Sequence, residues 1–419
     1  MPEEKTSQMV VIGGGMSGMT TAIEAAEAGI TSVIIEKSPY LGGRVAQLNK
    51  YFPKLCPPYC GLEINFRRIK QNSKISYYTM SEVESVSGSE GNFTVKVKIN
   101  PRLVNSKCTA CNKCVEVCPI ERSNSFNFGL DKTKAVYLPH DMAFPMRYVI
   151  DESLCTKASC AKCVAVCKYD AIDFNMKPET VEIKTQSVVY ATGWNPYDAK
   201  KMDNLGFGKV KNLVTNMMME RMASPNGPTK GKILRPGDKK EPKTVAFVQC
   251  AGSRDENHLA HCSAICCMAS LKQATYVREQ YPDSNVFIYY IDLRTPGKYE
   301  DFLKKIQADE NVHMIKGKVA KIEEDPESGD PVLTVEDIEG GAKITKKVDM
   351  VVLATGMEPA IKTVGNHGLK LDDNGFIDAD TQTAGIYSSG VAKRPNDVSN
   401  SVQDSTASAL RGIQSTVRR

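Results

Sequence analysis

Uninterrupted apolar runs recur along the chain: QMVVIG (8–13), VIIE (33–36), VVYATG (188–193), KTVAFVQC (243–250), NVFIYYIDLRT (285–295) and VVLATG (351–356). They lack the polar alternation of a half-exposed strand, and so predict strands covered on both faces, as in a parallel sheet. Helix-patterned segments follow two of them, MTTAIEAAEAG (19–29) and CSAICCMASLKQATYVREQ (262–280). The pattern predicts two strand–helix–strand units and an α/β fold. Two further strand-like segments, FTVKVKIN (93–100) and VEIKTQSVVYATG (181–193), flank a cysteine-rich stretch. Residues 194–243 are polar and rich in Pro, Gly and Lys, the pattern of a connector or exposed loop.

The turn after the first run carries chemistry. Gly13, Gly15 and Gly18 stand as G-x-G-x-x-G between strand and helix, with Ser17 among them, and Glu36 and Lys37 close the next strand. The first glycine permits the tight turn, the second a close approach of backbone to a pyrophosphate, and the third close helix–strand packing. The helix N-terminus offers free N–H groups and a positive dipole to that pyrophosphate. An acid at Glu36 can accept from ribose hydroxyls. This is a dinucleotide-binding, Rossmann-like unit, and these residues alone leave FAD and NAD both open. Flavoproteins of the glutathione-reductase type place a Gly-Gly pair shortly after the acid, as in Gly42-Gly43-Arg44. They also repeat a strand-to-Gly turn once per domain, as Thr192-Gly193 and Thr355-Gly356 do here. GIYSSGVAKRPND (385–397), with Gly390, resembles their strand that brings an Asp to the ribityl chain, although Val391 stands at the Asp position. This resemblance implies FAD.

Composition narrows the classes. The 419 residues include 54 Lys+Arg against 49 Asp+Glu and 41% hydrophobic residues, which excludes wholesale disorder. At roughly 150 residues per domain the length suggests about two or three domains. Basic and acidic residues are interspersed, so a net charge of +5 is no nucleic-acid signature. No run of about 18 apolar residues offers a membrane span. The polar start MPEEKTSQMV is unlike a secretory signal, so the expected place is the cytoplasm. There, 14 cysteines argue for metal or redox chemistry rather than a disulfide framework.

Cys108, Cys111, Cys114 and Cys118, followed by Pro119, form C-x2-C-x2-C-x3-C. Cys155, Cys160, Cys163 and Cys167 form C-x4-C-x2-C-x3-C, with Lys168 in the place of the proline. This is the bacterial two-[4Fe–4S] ferredoxin run, in which the fourth cysteine of each half ligates the other cluster. That rule groups Cys108, Cys111 and Cys114 with Cys167, and Cys155, Cys160 and Cys163 with Cys118. Zinc is the competing reading, but its sites rarely take three ligands from so short a run plus a distant fourth. No Gly/Ser or Pro-rich tether appears at either junction, so the insert is expected to be fixed rigidly to the flavin domain.

In the second unit the turn reads Cys250-Ala251-Gly252-Ser253-Arg254, without the glycines a pyridine nucleotide needs. Cys250, Cys262, Cys266 and Cys267 predict a third cluster there. A dithiol at Cys266/Cys267, or small buried helix residues, are the alternatives. Cys56 and Cys60 (LCPPYCG) follow the Gly-Gly pair, where disulfide reductases carry the cysteines that exchange electrons with flavin. The C-x3-C spacing and the two prolines depart from that pattern, and none of the five histidines lies in the tail, where such enzymes carry a His-Glu pair. A flavin-coupled dithiol, ligands completing a cluster, and structural thiols all stay open.

Together GGGMSG, EKSPYLGGRVAQLNKYFP, the double ferredoxin run, FVQCAGSRD with CSAICCM, and VVLATGMEP resemble the A subunits of heterodisulfide reductases over nearly the whole chain. Within that family, the length and CPPYCGLEINFRR are most similar to the compact A subunits of quinone-interacting membrane-bound oxidoreductase complexes of sulfate reducers. The resemblance implies a fold of the pyridine-nucleotide-disulfide/thioredoxin-reductase type. Its flavin domain would occupy segments 1–100, 179–200 and 346–419, with a ferredoxin inserted at 101–178, a connector at 201–243 and the second nucleotide fold at 244–345. It implies an oxidoreductase component, not self-sufficient, holding FAD, two [4Fe–4S] clusters and the third. Its role would be to link a menaquinone-reactive membrane complex to adenylylsulfate reductase in sulfate reduction. Implied partners are a second flavin/iron–sulfur subunit, a haem-b membrane subunit that holds the chain peripherally at the membrane, and adenylylsulfate reductase. The other readings are a soluble heterodisulfide-reductase-like subunit, electron-bifurcating or not, and a flavin-dependent thiol–disulfide oxidoreductase using Cys56 and Cys60.

Overall fold

The run QMVVIG becomes the strand Met9–Ile12, central in a five-stranded parallel sheet ordered Ile386–Ser388, Ser187–Tyr190, Met9–Ile12, Ser32–Ile35, Ile75–Tyr78. Its residues are all buried, as the absence of polar alternation requires. This computed structural model describes residues 3–417. The outermost positions of the first and last expected segments, 1–2 and 418–419, lie outside the described residues. Strand order reverses between Met9–Ile12 and Ser187–Tyr190, and ligands of open α/β sheets bind beyond the C-terminal strand ends at such a point. The helix Val398–Val417 buries Ser401, Ser405, Ser408, Gly412 and Ser415 along one stripe. These short side chains let it lie close to the sheet, where a Cβ on Gly412 would come within 2.5 Å of Met9 Cε.

The chain divides into two units, one running to Trp194 and resuming at Pro359, the other spanning Asn195–Glu358. In the first, a four-stranded sheet orders Glu3–Thr6, Glu179–Thr185, Asn92–Ile99 and Ser81–Ser89. Glu179 pairs with Ile99, so the cysteine-rich segment leaves one strand and returns on its hydrogen-bonded neighbour. That segment has its own small core of Leu103, Val104, Val136, Tyr148, Ile150, Ala171 and Ile172, with cysteines packed against it. It is also tied to the flavin-type sheet, as the missing tether suggested. Phe144 stacks on Phe66 at 4.9 Å, Leu41 N–H donates to the Phe144 carbonyl, and Gln47 Nε2 donates to the Phe126 carbonyl. The buried Arg102 guanidinium donates to Thr79 Oγ1 and to the Pro39 and Tyr148 carbonyls. Burial lowers its pKa to about 10.

The second unit carries a seven-stranded sheet ordered Leu213–Thr215, Met350–Thr355, Thr244–Ala251, Asn285–Tyr290, Val312–Glu324, Pro331–Asp337, Ala342–Lys347. The first five strands are parallel and the last two extend them as antiparallel hairpins. This moves three expected boundaries. Residues 346–358 belong here rather than to the flavin domain, because Met350–Thr355 is hydrogen-bonded between Leu213–Thr215 and Thr244–Ala251. The segment 201–243 is not only a connector, since it supplies that edge strand and the helix Asn216–Ala223. Residues 195–200, expected in the flavin domain, also fall in this unit, where Tyr197 and Ala199 join its core. Among the described residues, no helix is long and apolar enough to cross a membrane.

Candidate functional site

The glycine turn of the first unit is built for a close approach. Gly13 has φ +111°, and a Cβ there would fall 2.3 Å from the Ala191 carbonyl oxygen. At Gly18 a Cβ would lie 1.8 Å from the Gly13 carbonyl oxygen, so helix and turn touch through bare backbone. Gly15 differs: the nearest atom a Cβ would meet is Gly43 Cα at 3.8 Å, which leaves its outer side open for a ligand. Gly42 and Gly43, both at positive φ, complete the cradle, with Gly42 N–H donating to the Gly14 carbonyl. Glu36 is buried, and its carboxylate accepts from Gly14 N–H and Ser38 N–H, each at 2.6 Å. Burial pushes its pKa up, and those two hydrogen bonds pull it back. Thr192 Oγ1, at the end of the neighbouring strand, is buried without a hydrogen-bond partner. Open backbone, a buried acid and an orphaned hydroxyl at the switch point fit a dinucleotide.

Other expected cofactor residues separate. Gly390 sits over Ser17, whose Oγ a Cβ would meet at 2.1 Å, and Val391 is buried. The acid beside this turn is Asp404, which accepts from Gly390 N–H at 2.6 Å and pairs with Lys393 at 2.8 Å. Asp404 is the only acidic residue within the helix Val398–Val417, a weak signal that needed the fold to be read. Gly193 has φ +68°, and the half-buried Arg44 donates to the Trp194 carbonyl and to Gln47 Oε1. Lys37 is not brought to the cradle; it is exposed and faces Glu82 at 3.7 Å. Thr355 and Gly356 lie in the second unit, beside its cysteines, because their strand belongs to that sheet.

In the insert, Cys108, Cys111, Cys114 and Cys167 line one cavity with Tyr148 and Tyr169. The fourth cysteine of the second run thus crosses to the first three of the first run. Cys155 and Cys118 lie close enough to Cys163 that their charges oppose its ionisation. The short helices Lys113–Val117 and Lys162–Val166 carry Cys114 and Cys163, each preceded by a left-handed residue, Asn112 and Ala161. Burial first, then neighbouring thiolates, raises Cys114 to about 12 and Cys163 to about 11. Such crowded thiols give up their protons to a metal centre that repays the desolvation. Among the described residues no three His, Cys, Asp or Glu side chains close on a single-ion position. Cys108, Cys111, Cys114 and Cys167 stand around a cavity wide enough to be lined from both cysteine runs.

The second unit repeats the theme. Cys250, Cys262, Cys266 and Cys267 line one cavity with Ser253, Arg254, Asp292 and Arg294. A register shift between Val248 and Ala251 bulges the strand at Cys250, and Cys250, Arg254 and Ala264 all hold positive φ. Strained backbone of this kind persists where the surroundings impose it, often at functional sites. Cys266 and Cys267 open the helix Cys266–Gln280 and are buried, so thiols occupy the place where glycines would admit a pyrophosphate. Burial raises Cys250 to about 11 and Cys266 well above the ordinary thiol value. Cys56 and Cys60 sit apart from these sets, around the start of the helix Pro58–Gln71.

Known proteins parallel this arrangement. Residues 11–57 match the NAD(P)-binding Rossmann-like domain family, and 293–405 match pyridine nucleotide-disulphide oxidoreductase. The chain is 38% identical over 418 residues to the A subunit of the H(2):CoB-CoM heterodisulfide,ferredoxin reductase of Methanothermobacter thermautotrophicus, covering 96% of this chain and 63% of that one. It is 36% identical to the iron-sulfur A subunit of the CoB–CoM heterodisulfide reductase of Methanocaldococcus jannaschii, covering 97% and 64%. The chain therefore spans less than two thirds of the length of these curated relatives. Among solved structures, T. acidophilum thioredoxin reductase aligns with TM-score 0.55 at 15% identity, over 99% of this chain and 100% of that one. Lactococcus lactis thioredoxin reductase aligns with TM-score 0.53 at 13% identity, over 98% and 99%. These two establish the fold.

Proposed function

The chain belongs to the A-subunit family of heterodisulfide reductases, which are flavin and iron–sulfur oxidoreductases, and from that premise we propose that it is the electron-transfer component of a larger complex. Bound FAD supplies exchange between two-electron and one-electron traffic, and [4Fe–4S] clusters supply one-electron steps. The chain's own residues hold and orient these groups. Gly13, Gly15 and Gly18 bring backbone to the pyrophosphate, Glu36 and Thr192 offer polar contacts, and Asp404 orders the turn at Gly390. Cys108, Cys111, Cys114 and Cys167 would hold one cluster, and Cys155, Cys160, Cys163 and Cys118 a second. Cys250, Cys262, Cys266 and Cys267 would hold a third. The observation that carries this reading is the entry of Cys167 into the cavity of Cys108, Cys111 and Cys114, the placement that crossed ligation in two-cluster ferredoxins would need.

Anaerobically purified protein is expected to contain FAD and about eight to twelve iron atoms, from two or three cubanes. Stoichiometric zinc without iron would overturn the proposal. The isolated chain should also be reduced poorly by NADH, because thiols stand where the second unit would need glycines.

For the complex itself we propose one that links menaquinone to adenylylsulfate reductase, through a haem-b membrane subunit and a second flavin/iron–sulfur subunit. The stretch CPPYCGLEINFRR supports this reading. The second reading, a soluble heterodisulfide-reductase-like subunit, is supported by the 38% identity to such proteins. Copurification from detergent extracts separates them: a b-type cytochrome selects the first, a soluble reductase partner alone the second.

A further inference from the structure

Twelve of the 14 cysteines fall into the sets above, leaving Cys56 and Cys60 with no other thiol of the chain to complete a cluster. Cys56 precedes Pro57, the N-cap of the helix Pro58–Gln71, and Cys60 lies in its first turn. Burial first, then the charges of both Cys56 and Cys60, push up the pKa of the Tyr51 phenol, so both thiols lie near that one hydroxyl. Tyr51 closes the arrangement. Its N–H donates to the Cys56 carbonyl at 3.1 Å, and its hydroxyl lies over Gly61, where a Cβ would meet it at 2.6 Å. Tyr51 thus meets the chain at Cys56 through its backbone and at Gly61, the residue after Cys60, through its hydroxyl. Cys60 is exposed and Cys56 half-buried, unlike thiols kept for packing.

We infer that Cys56 and Cys60 form a surface dithiol that exchanges with an external disulfide, Cys60 attacking and Cys56 resolving. Access assigns these roles. Cys60 Sγ, losing its proton, attacks one sulfur of the disulfide. A Cys60–S bond forms, the external S–S bond breaks, and the leaving sulfur takes up a proton. Cys56 Sγ, losing its proton, then attacks Cys60 Sγ. The Cys56–Cys60 bond forms and the second external sulfur leaves as a thiol. Two electrons and two protons pass from the pair to the external disulfide, which becomes two thiols. Tyr51 is a positioning residue, holding the strand before the prolines against the first helical turn. The inference rests on the proposed function only in assigning the other twelve thiols to clusters.

The test uses the full-length, anaerobically purified protein with its cofactors, exposed to glutathione disulfide or to oxidised thioredoxin and then alkylated. The tryptic peptide from Leu55 to Arg67 contains both cysteines. It should become lighter by two hydrogens and lose both alkylation sites. Oxidation by either reagent supports the site, and the faster reagent names the source as small-molecule or protein disulfide. Cys56→Ser should trap glutathione on Cys60, whereas Cys60→Ser should react at least about tenfold more slowly. Tyr51→Ala should accumulate the mixed disulfide, and Tyr51→Phe should restore ring closure. An unsubstituted peptide carrying two glutathiones, or one in which both cysteines stay open to alkylation, overturns the inference. So does loss of iron in the Cys56→Ser/Cys60→Ser double variant, which would make these residues ligands. Iron and flavin contents of the unsubstituted protein test the proposed function separately.

Discussion

An added methyl at Gly18 would sit 1.8 Å from the Gly13 carbonyl oxygen, whereas at Gly15 the nearest protein atom would be 3.8 Å away. Gly18→Ala should therefore destabilise the first unit by about 1–3 kcal/mol, the scale of overpacking, and lose flavin with it. Gly15→Ala should leave the flavin-free protein as stable as before and weaken only flavin binding. Urea midpoints with and without flavin, together with flavin-to-protein ratios, check the contrast. His367 gives a pH dependence. Its Nε2–H donates to the Val83 carbonyl, which leaves Nδ1 of the neutral ring to accept from the Tyr190 hydroxyl, and burial lowers its pKa below the ordinary 6.5. The unfolded chain then binds more protons than the folded one below about pH 6.5, so stability rises with pH through that window and is lost as pH falls. The drop in urea midpoint between pH 7 and pH 5.5 should be smaller in His367→Gln than in the unsubstituted protein. The placement of Gly13, Gly15, Gly18 and Glu36 around one turn was legible because each answers to local spacing. Asp404 was not, because its partner Gly390 lies a helical excursion away and only the fold joins them.

At the scale of elements, the insert's edges were legible to within a few residues. The alternating strands that end at Ile99 and restart at Glu179 bound it on both sides. What holds it in place was not legible, since Phe144, Arg102 and Gln47 carry no motif. Phe144 is only partly buried, so Phe144→Ala should cost less than the about 3–5 kcal/mol of a fully buried phenylalanine. The variant should keep its iron while hydrogen exchange quickens across 101–178. Crossed ligation makes a sharper forecast. Cys167→Ser should perturb the cluster whose other ligands are Cys108, Cys111 and Cys114, although Cys167 lies in the second run. Paramagnetic spectra of Cys167→Ser and Cys114→Ser should show the same signal altered, and a match to Cys155→Ser would contradict this.

At the scale of the whole molecule, the apolar runs identified both parallel sheets, because strands buried on two faces cannot alternate. The assignment of 195–200, 201–243 and 346–358 failed for a physical reason. Leu213–Thr215 is too short to carry a pattern, and the place of Met350–Thr355 is set by tertiary pairing rather than by its own residues. Cys250, Cys262, Cys266 and Cys267 belong to the second unit and the other two cysteine sets to the first, so each unit carries its own ligands. Cys250→Ser with Cys262→Ser should thus remove about four irons, leaving flavin and the remaining iron unchanged by metal and flavin analysis.

The pairing of Ile99 with Glu179 also bears on how the chain is made. The flavin-domain sheet closes only when the ends of a roughly 80-residue excursion meet, an entropic cost of about 4 kcal/mol. A matured insert shortens that search, because its own ends emerge side by side, with Val104 bridged to Ile172. Its apolar core is small, so any metal bound there would couple its uptake to folding. Iron uptake is then expected to come before flavin binding, and chains made without iron should lack flavin, as flavin-to-protein ratios after iron-starved expression would check.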